Sequence, residues 1–103
     1  MNYAKNISVR KMPQVKIMFQ AMFREIVGKK ELIKEVNDGY TLRSLLLMLA
    51  ETYGRDFNDI IDPKTGEVST EVWVLVNGKS IRKPDLILND NDVIYIGVPI
   101  AGG

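Results

Sequence analysis

The most distinctive chemistry in this 103-residue chain lies in its last three residues, Ala101-Gly102-Gly103. A Gly-Gly ending has no side chain to obstruct a narrow channel. Its α-carboxylate is therefore expected to be a group that another protein can grip, activate and modify. Two closing glycines arise by chance in roughly one of 200 chains at a glycine frequency of about 7%. The weight of the pair thus depends on whether the preceding residues build a compact domain with a stiff stalk.

Few other reactive groups are available. The chain has no Cys and no His, which removes the thiol nucleophile, the imidazole base and the usual zinc ligands. Nucleophilic catalysis by a Ser/His or Cys/His pair is excluded. The paired carboxylates Asp59 and Asp62, and Asp90 and Asp92, sit in turn-like contexts where Asp commonly caps or is solvated. Gly78-Lys79-Ser80 ends like a phosphate-binding P-loop, but the glycine that loop needs five residues earlier is Trp73. Asn6-Ile7-Ser8 matches a glycosylation acceptor, yet no secretory signal accompanies it.

Composition sets the broad class. Fourteen basic against thirteen acidic residues give a net charge of +1, with no electrostatic footprint for nucleic acid or an anionic membrane. The longest apolar run, Leu45–Ala50, is far too short for a membrane span. Met1–Pro13 carries Lys5, Arg10 and Lys11 without an apolar core segment, so a cytoplasmic protein is expected. A chain of this length makes one domain, burying about 60–65% of its unfolded surface.

The elements that must position the tail follow from periodicity. Val15, Ile17 and Phe19 alternate with Lys16, Met18 and Gln20, the period of a half-buried strand. Ala21–Val27 reads as a short helix stopped by Gly28, and Leu32–Val36 as a second strand before the Asn37-Asp38-Gly39 turn. Thr41 caps a stronger helix, whose stripe is Leu42, Leu45, Leu46, Leu49, Ala50 and Tyr53 and whose stop is Gly54. Leu47 and Met48 lie beside that stripe and are expected to widen its core contact. Arg55–Ser69 reads as a looser connection with a turn at Pro63–Gly66. Val72–Val76 is the clearest strand, and Asn77-Gly78 is a type I′ hairpin signal leading into Lys79–Arg82. Asn89–Asp92 is a turn before a last strand, Val93–Ile96.

One main helix across a mixed sheet of four or five strands is an α+β architecture. The expected organisation is a flexible N-terminal extension (1–13), a globular domain (14–97) and a C-terminal tail (98–103). Pro99 fixes its own φ and pushes Val98 toward an extended conformation, so the tail leaves stiffly. Val98–Gly103 reaches roughly 20 Å at about 3.3 Å per residue.

In order along the chain, Val15–Phe19, Arg24–Gly28, Val74–Gly78, Asn91-Asp92-Val93 and the ending Pro99–Gly103 resemble the ubiquitin-like β-grasp sulfur carriers. The likeness is greatest to the small subunit of molybdopterin synthase (the MoaD/ThiS-like proteins) and covers about residues 15 to 103. Gly97, Val98 and one Pro99 stand where family members often carry an aromatic and two prolines. The Asp62–Ser69 segment is longer than usual, and Met1–Pro13 has no counterpart.

The resemblance implies a ubiquitin-like β-grasp fold and a carrier that is not itself a catalyst. A carboxylate with a pKa near 3.5 is ionised and a poor electrophile at neutral pH. A ubiquitin-activating-type enzyme would therefore use ATP to adenylate Gly103, this chain binding no cofactor or metal of its own. Sulfur from a persulfide donor protein would replace adenylate and leave a thiocarboxylate. The large synthase subunit would then pass the sulfur to a pterin precursor of the molybdenum or tungsten cofactor. Gly103 would react, Gly102 would relieve crowding, and Pro99, Ile100 and Ala101 would form the inserted stalk. If Val72, Val74 and Val76 face the helix, Trp73 and Leu75 project from the other side of the sheet. Matching the last strand to the family puts Ile94 and Ile96 inward and Tyr95 outward, with Met18 also outward. Met18, Trp73, Leu75 and Tyr95 are thus expected to form a docking patch. Other readings are a ubiquitin-like modifier joined through Gly103 to lysines, a thiamine-type or other sulfur carrier, and an interaction domain with an accidental Gly-Gly.

Overall fold

A computed structural model describes residues 12–99. Most of the expected N-terminal extension (1–13), and residues Ile100 to Gly103 of the tail, lie outside the described residues.

Alternating side chains make β1 (Gln14–Phe19), with Val15, Ile17 and Phe19 buried on one face. A single short helix, α1 (Met22–Val27), follows and ends at Gly28, whose φ of 80° lets its N–H return to the Arg24 carbonyl. The chain comes back as β2 (Glu31–Glu35) and crosses the sheet as α2 (Leu42–Tyr53). Thr41 caps α2 as expected, its Oγ1 accepting from the Ser44 N–H at 3.1 Å. A 3₁₀ turn (Arg55–Asp59) leads toward β3 (Trp73–Val76), β4 (Lys79–Ser80) and β5 (Val93–Gly97). Asn77 and Gly78 both take positive φ, 52° and 86°, as the expected hairpin turn requires.

The five strands form one sheet in the order β2-β1-β5-β3-β4. β5 lies in the middle, parallel to β1 and antiparallel to β3. This mixed sheet with a helix across one face is an α+β, ubiquitin-like fold. The core sits between the sheet and α2. Leu42, Leu45, Leu46 and Leu49 meet Ile17, Val74, Val76, Ile94 and Ile96 there, all buried.

Three expectations need correction. Met48 packs against the core, but Leu47 is 54% exposed because α2 rests on one sheet only and its far side meets solvent. The Arg55–Ser69 connection is less loose than its sequence reads, since Phe57, Ile60 and Val68 are buried. Phe57 is the centre of an aromatic cluster, with ring centroids 4.9 Å from Phe23, 5.7 Å from Tyr53 and 5.9 Å from Phe19. β4 also ends early. The Arg82 carbonyl accepts from the Val68 N–H at 2.8 Å, which draws the chain away from the sheet after Ile81.

The segment after β4 closes the start of α2. The Leu42 N–H donates to the Leu86 carbonyl at 2.8 Å and the Arg43 N–H to the Pro84 carbonyl at 2.7 Å. Together with the Thr41 cap, these satisfy three of the donors that a helix N-terminus leaves open. The Arg43 guanidinium also meets Asp85 at 3.0 Å and holds its carboxyl below the usual carboxylate range.

Candidate functional site

Because strand side chains alternate, burying one face of the sheet under α2 puts every second residue on the opposite face. Register then decides which of these are neighbours. Met18 on β1 pairs with Tyr95 on β5, and Tyr95 pairs with Leu75 on β3, so the three form one row across the middle of the sheet. Trp73 is two residues before Leu75 and directly opposite Gly97, the last residue of β5. Met18, Leu75 and Tyr95 are half-buried, whereas Trp73 is 43% exposed. The four residues expected to share a face do so, and neither the 55–69 connection nor any other described segment buries the indole.

The face extends further than the sequence suggested. Lys16 pairs with Ile33 on one side and Val93 on the other, one row below Met18 and Tyr95. Ile33 is 53% exposed. The signal was present in β2 as the alternation of Glu31, Ile33 and Glu35, but an isolated apolar residue between two acids is easily passed over.

At the upper edge of the face the tail departs. Tyr95 Oη donates a hydrogen bond to Gln20 Oε1 across the end of β5. The bond passes over Gly97, where an added Cβ would lie 2.8 Å from Gln20 Oε1 and 3.1 Å from Tyr95 Cε1. A side chain at position 97 would have to displace the Gln20 amide. A glycine inside a strand signals such a close approach. The residues that follow are Val98, half-buried against the core, and Pro99, exposed. Ile100, Ala101, Gly102 and Gly103 lie outside the described residues.

Three of the four candidate carboxylates do structural work. Asp90 Oδ1 accepts from the Gln14 N–H at 2.8 Å. Asp92 accepts from the Asn89 N–H at 2.7 Å and from Asn77 Nδ2 at 2.8 Å. Asp62 accepts from the Lys64 N–H at 2.8 Å, a local turn bond. Asp56, Asp59 and Asp62 line one open cleft of about 360 Å³. Among the described residues no group of three or more acids is placed to hold a metal ion. Gly78-Lys79-Ser80 is the hairpin turn and the start of β4. No helix among the described residues is long and apolar enough to cross a membrane.

Known proteins share this fold. The model of the ThiS family matches residues 17–103. Small archaeal modifier protein 3 of Haloferax volcanii is 33% identical over 93 residues, covering 87% of this chain and 99% of that protein. The solution structure of a Haloferax volcanii protein superposes with a TM-score of 0.74 at 31% identity, covering 93% of this chain and 92% of the other. A putative molybdopterin converting factor subunit 1 from Pyrococcus furiosus superposes with a TM-score of 0.70 at 23% identity, covering 85% and 99%. At that identity the last match speaks for the fold alone.

Proposed function

The chain belongs to the ThiS family, and from that premise we propose that it is a sulfur carrier whose Gly103 is the site of loading. A separate ubiquitin-activating-type enzyme binds ATP and converts the carboxylate to an acyl-adenylate, releasing pyrophosphate. The outer sulfur of a persulfide donor attacks the acyl carbon and displaces AMP. A thiol then cleaves the resulting S–S bond, leaving a thiocarboxylate. The loaded tail enters the large subunit of a molybdopterin synthase and delivers sulfur to a pterin precursor in the cytoplasm. In this reading the chain contributes a surface and a terminus, and the ATP site belongs to its partner.

The single observation that supports the reading best is where β5 ends. β5 is the central strand, and it ends at Gly97 beside the apolar row of Met18, Tyr95 and Leu75 and the exposed Trp73. A partner that docks on that face would therefore lie beside the point from which the terminus leaves. Aromatic and Met side chains grouped on one uncovered face in this way are typical of interface centres. Mass spectrometry of the chain purified from its own cells tests the chemistry. Exchange of one oxygen for sulfur on Gly103 is the expected result. A second test appends one residue after Gly103, which should abolish loading; undiminished loading of the extended chain refutes the proposal.

One finding favours a second reading. The 33% identity to a protein named as a small archaeal modifier makes conjugation to lysines a use of the same activated carboxylate. An isopeptide between Gly103 and another protein in the same spectra would identify it.

A further inference from the structure

The geometry points to Gln20 and Tyr95 as a clasp that positions the root of the tail for activation. This inference rests on the carrier reading above and assigns the pair a part in it. Gln20 is the residue after β1, and its N–H continues the β1–β5 pairing with a 3.0 Å bond to the Ile96 carbonyl. Its side chain also reaches β5 and accepts the Tyr95 hydroxyl proton. One residue thus holds β5 twice, through its backbone at Ile96 and through its amide at Tyr95. The clasp closes over Gly97, the residue immediately before Val98.

Two features separate this contact from an ordinary surface hydrogen bond. It fills the space a side chain would need at position 97, with Gln20 Oε1 2.8 Å and Tyr95 Oη 3.3 Å from an ideal Cβ. It also sits at the point where the strand stops being fixed by partners on both sides. Trp73, opposite Gly97, is the last ladder pair of β3 with β5. Beyond it, the direction of Val98 depends on its own packing against the core and on what restrains Gly97. Glycine has more backbone freedom than any other residue, so an unrestrained Gly97 would act as a hinge. Covering it with the clasp removes that hinge and orders Val98 before any partner binds. Ordering the tail root in advance lowers the cost of placing the carboxylate against the nucleotide.

Gln20 and Tyr95 are therefore positioning residues, acting through the tail rather than on the reacting atoms. Tyr95→Phe keeps the ring and its docking contacts and removes only the hydroxyl. Two measurements on the whole chain test the assignment. The first is the ¹⁵N order parameter of the Val98 amide in the free protein, expected to fall in Tyr95→Phe and Gln20→Ala. The second is ATP–pyrophosphate exchange by the activating enzyme from the same cells, with the chain as varied substrate. Losing one neutral hydrogen bond is expected to lower kcat roughly two- to tenfold, with KM changed less than about twofold. The double variant should be no slower than either single one, because both open the same clasp. Gly97→Ala should also lower kcat, and Gln20→Ala should partly restore it by vacating the space the new methyl needs.

Unchanged Val98 order in both variants overturns the clasp whatever the kinetics show. A loss confined to KM, or additive losses in the double variant, overturns the positioning role and makes the pair a docking contact. If the wild-type chain supports no exchange at all, the carrier reading fails and the positioning role with it, while the Val98 measurement still decides whether the clasp exists.

Discussion

Replacing Trp73 by alanine separates docking from folding, because the indole is on one face of β3 and the core is on the other. Val74 and Val76, its neighbours on that strand, are buried beneath α2. Trp73 is 43% exposed, so about 100 Å² of a side chain of roughly 250 Å² is available to a partner. Covering that area at about 25 cal/mol per Å² is worth about 2.5 kcal/mol. That is the upper limit of what truncation removes, since association returns only part of the buried area as affinity. A weakening of roughly ten- to fiftyfold is therefore expected when the variant is titrated into its activating enzyme by calorimetry. Trp73→Glu should be worse, because it puts a charge where the partner is apolar. Thermal unfolding of Trp73→Ala should be displaced little, as for other substitutions outside the core. An affinity within twofold of wild type would refute the docking role of this face. A large loss of stability would show instead that the indole supports the fold.

Phe57→Ala should cost about 3–5 kcal/mol, because it empties the centre of the Phe19–Phe23–Tyr53 cluster. The midpoint of thermal unfolding should fall by more than about 12 °C, and a smaller shift would mean that the cluster collapses around the gap. The Arg43–Asp85 contact should make stability depend on pH only in the acid range. Asp85 has its carboxyl lowered first by the hydrogen bond from Arg43, so its small contribution is complete above the ordinary carboxylate range. That contribution is lost as pH falls through the depressed folded value. Because the pair is solvent-exposed, Asp85→Asn should lower stability at neutral pH only slightly, and it should remove one low-pH step from an NMR titration of the Asp85 and Leu86 amides.

The helix and strands were legible in the sequence because their burial is periodic. The stripe from Leu42 to Tyr53 and the alternation from Val15 to Phe19 each point to one face, and register carried the outer row of Met18, Tyr95 and Leu75 with them. The 3₁₀ segment escaped notice because Phe57 and Ile60 are spaced by a single short turn, too brief to establish a period. The closure of α2 by residues 84–86 escaped for another reason. It is made by backbone carbonyls, which every residue carries, so no side chain announced it. Leu47 was misread because an apolar residue adjoining a stripe looks the same whether the helix has one neighbouring layer or two. At the tail root, Gly97 was visible only as a departure from the family's usual residues. Its contact with Gln20 depends on two positions 77 residues apart meeting across a parallel pair.

That central parallel pair also governs when the domain can fold. The strand in the middle of the sheet is the last one to be synthesised, and β1 and β3 have no common neighbour until it arrives. A nascent chain emerging from the ribosome therefore holds two unjoined halves with their apolar faces open until residues 93–97 clear the exit tunnel. The sheet can therefore close only once β5 is available, and a chain cut short before β5 should be a substrate for chaperones and proteases rather than a partly active protein.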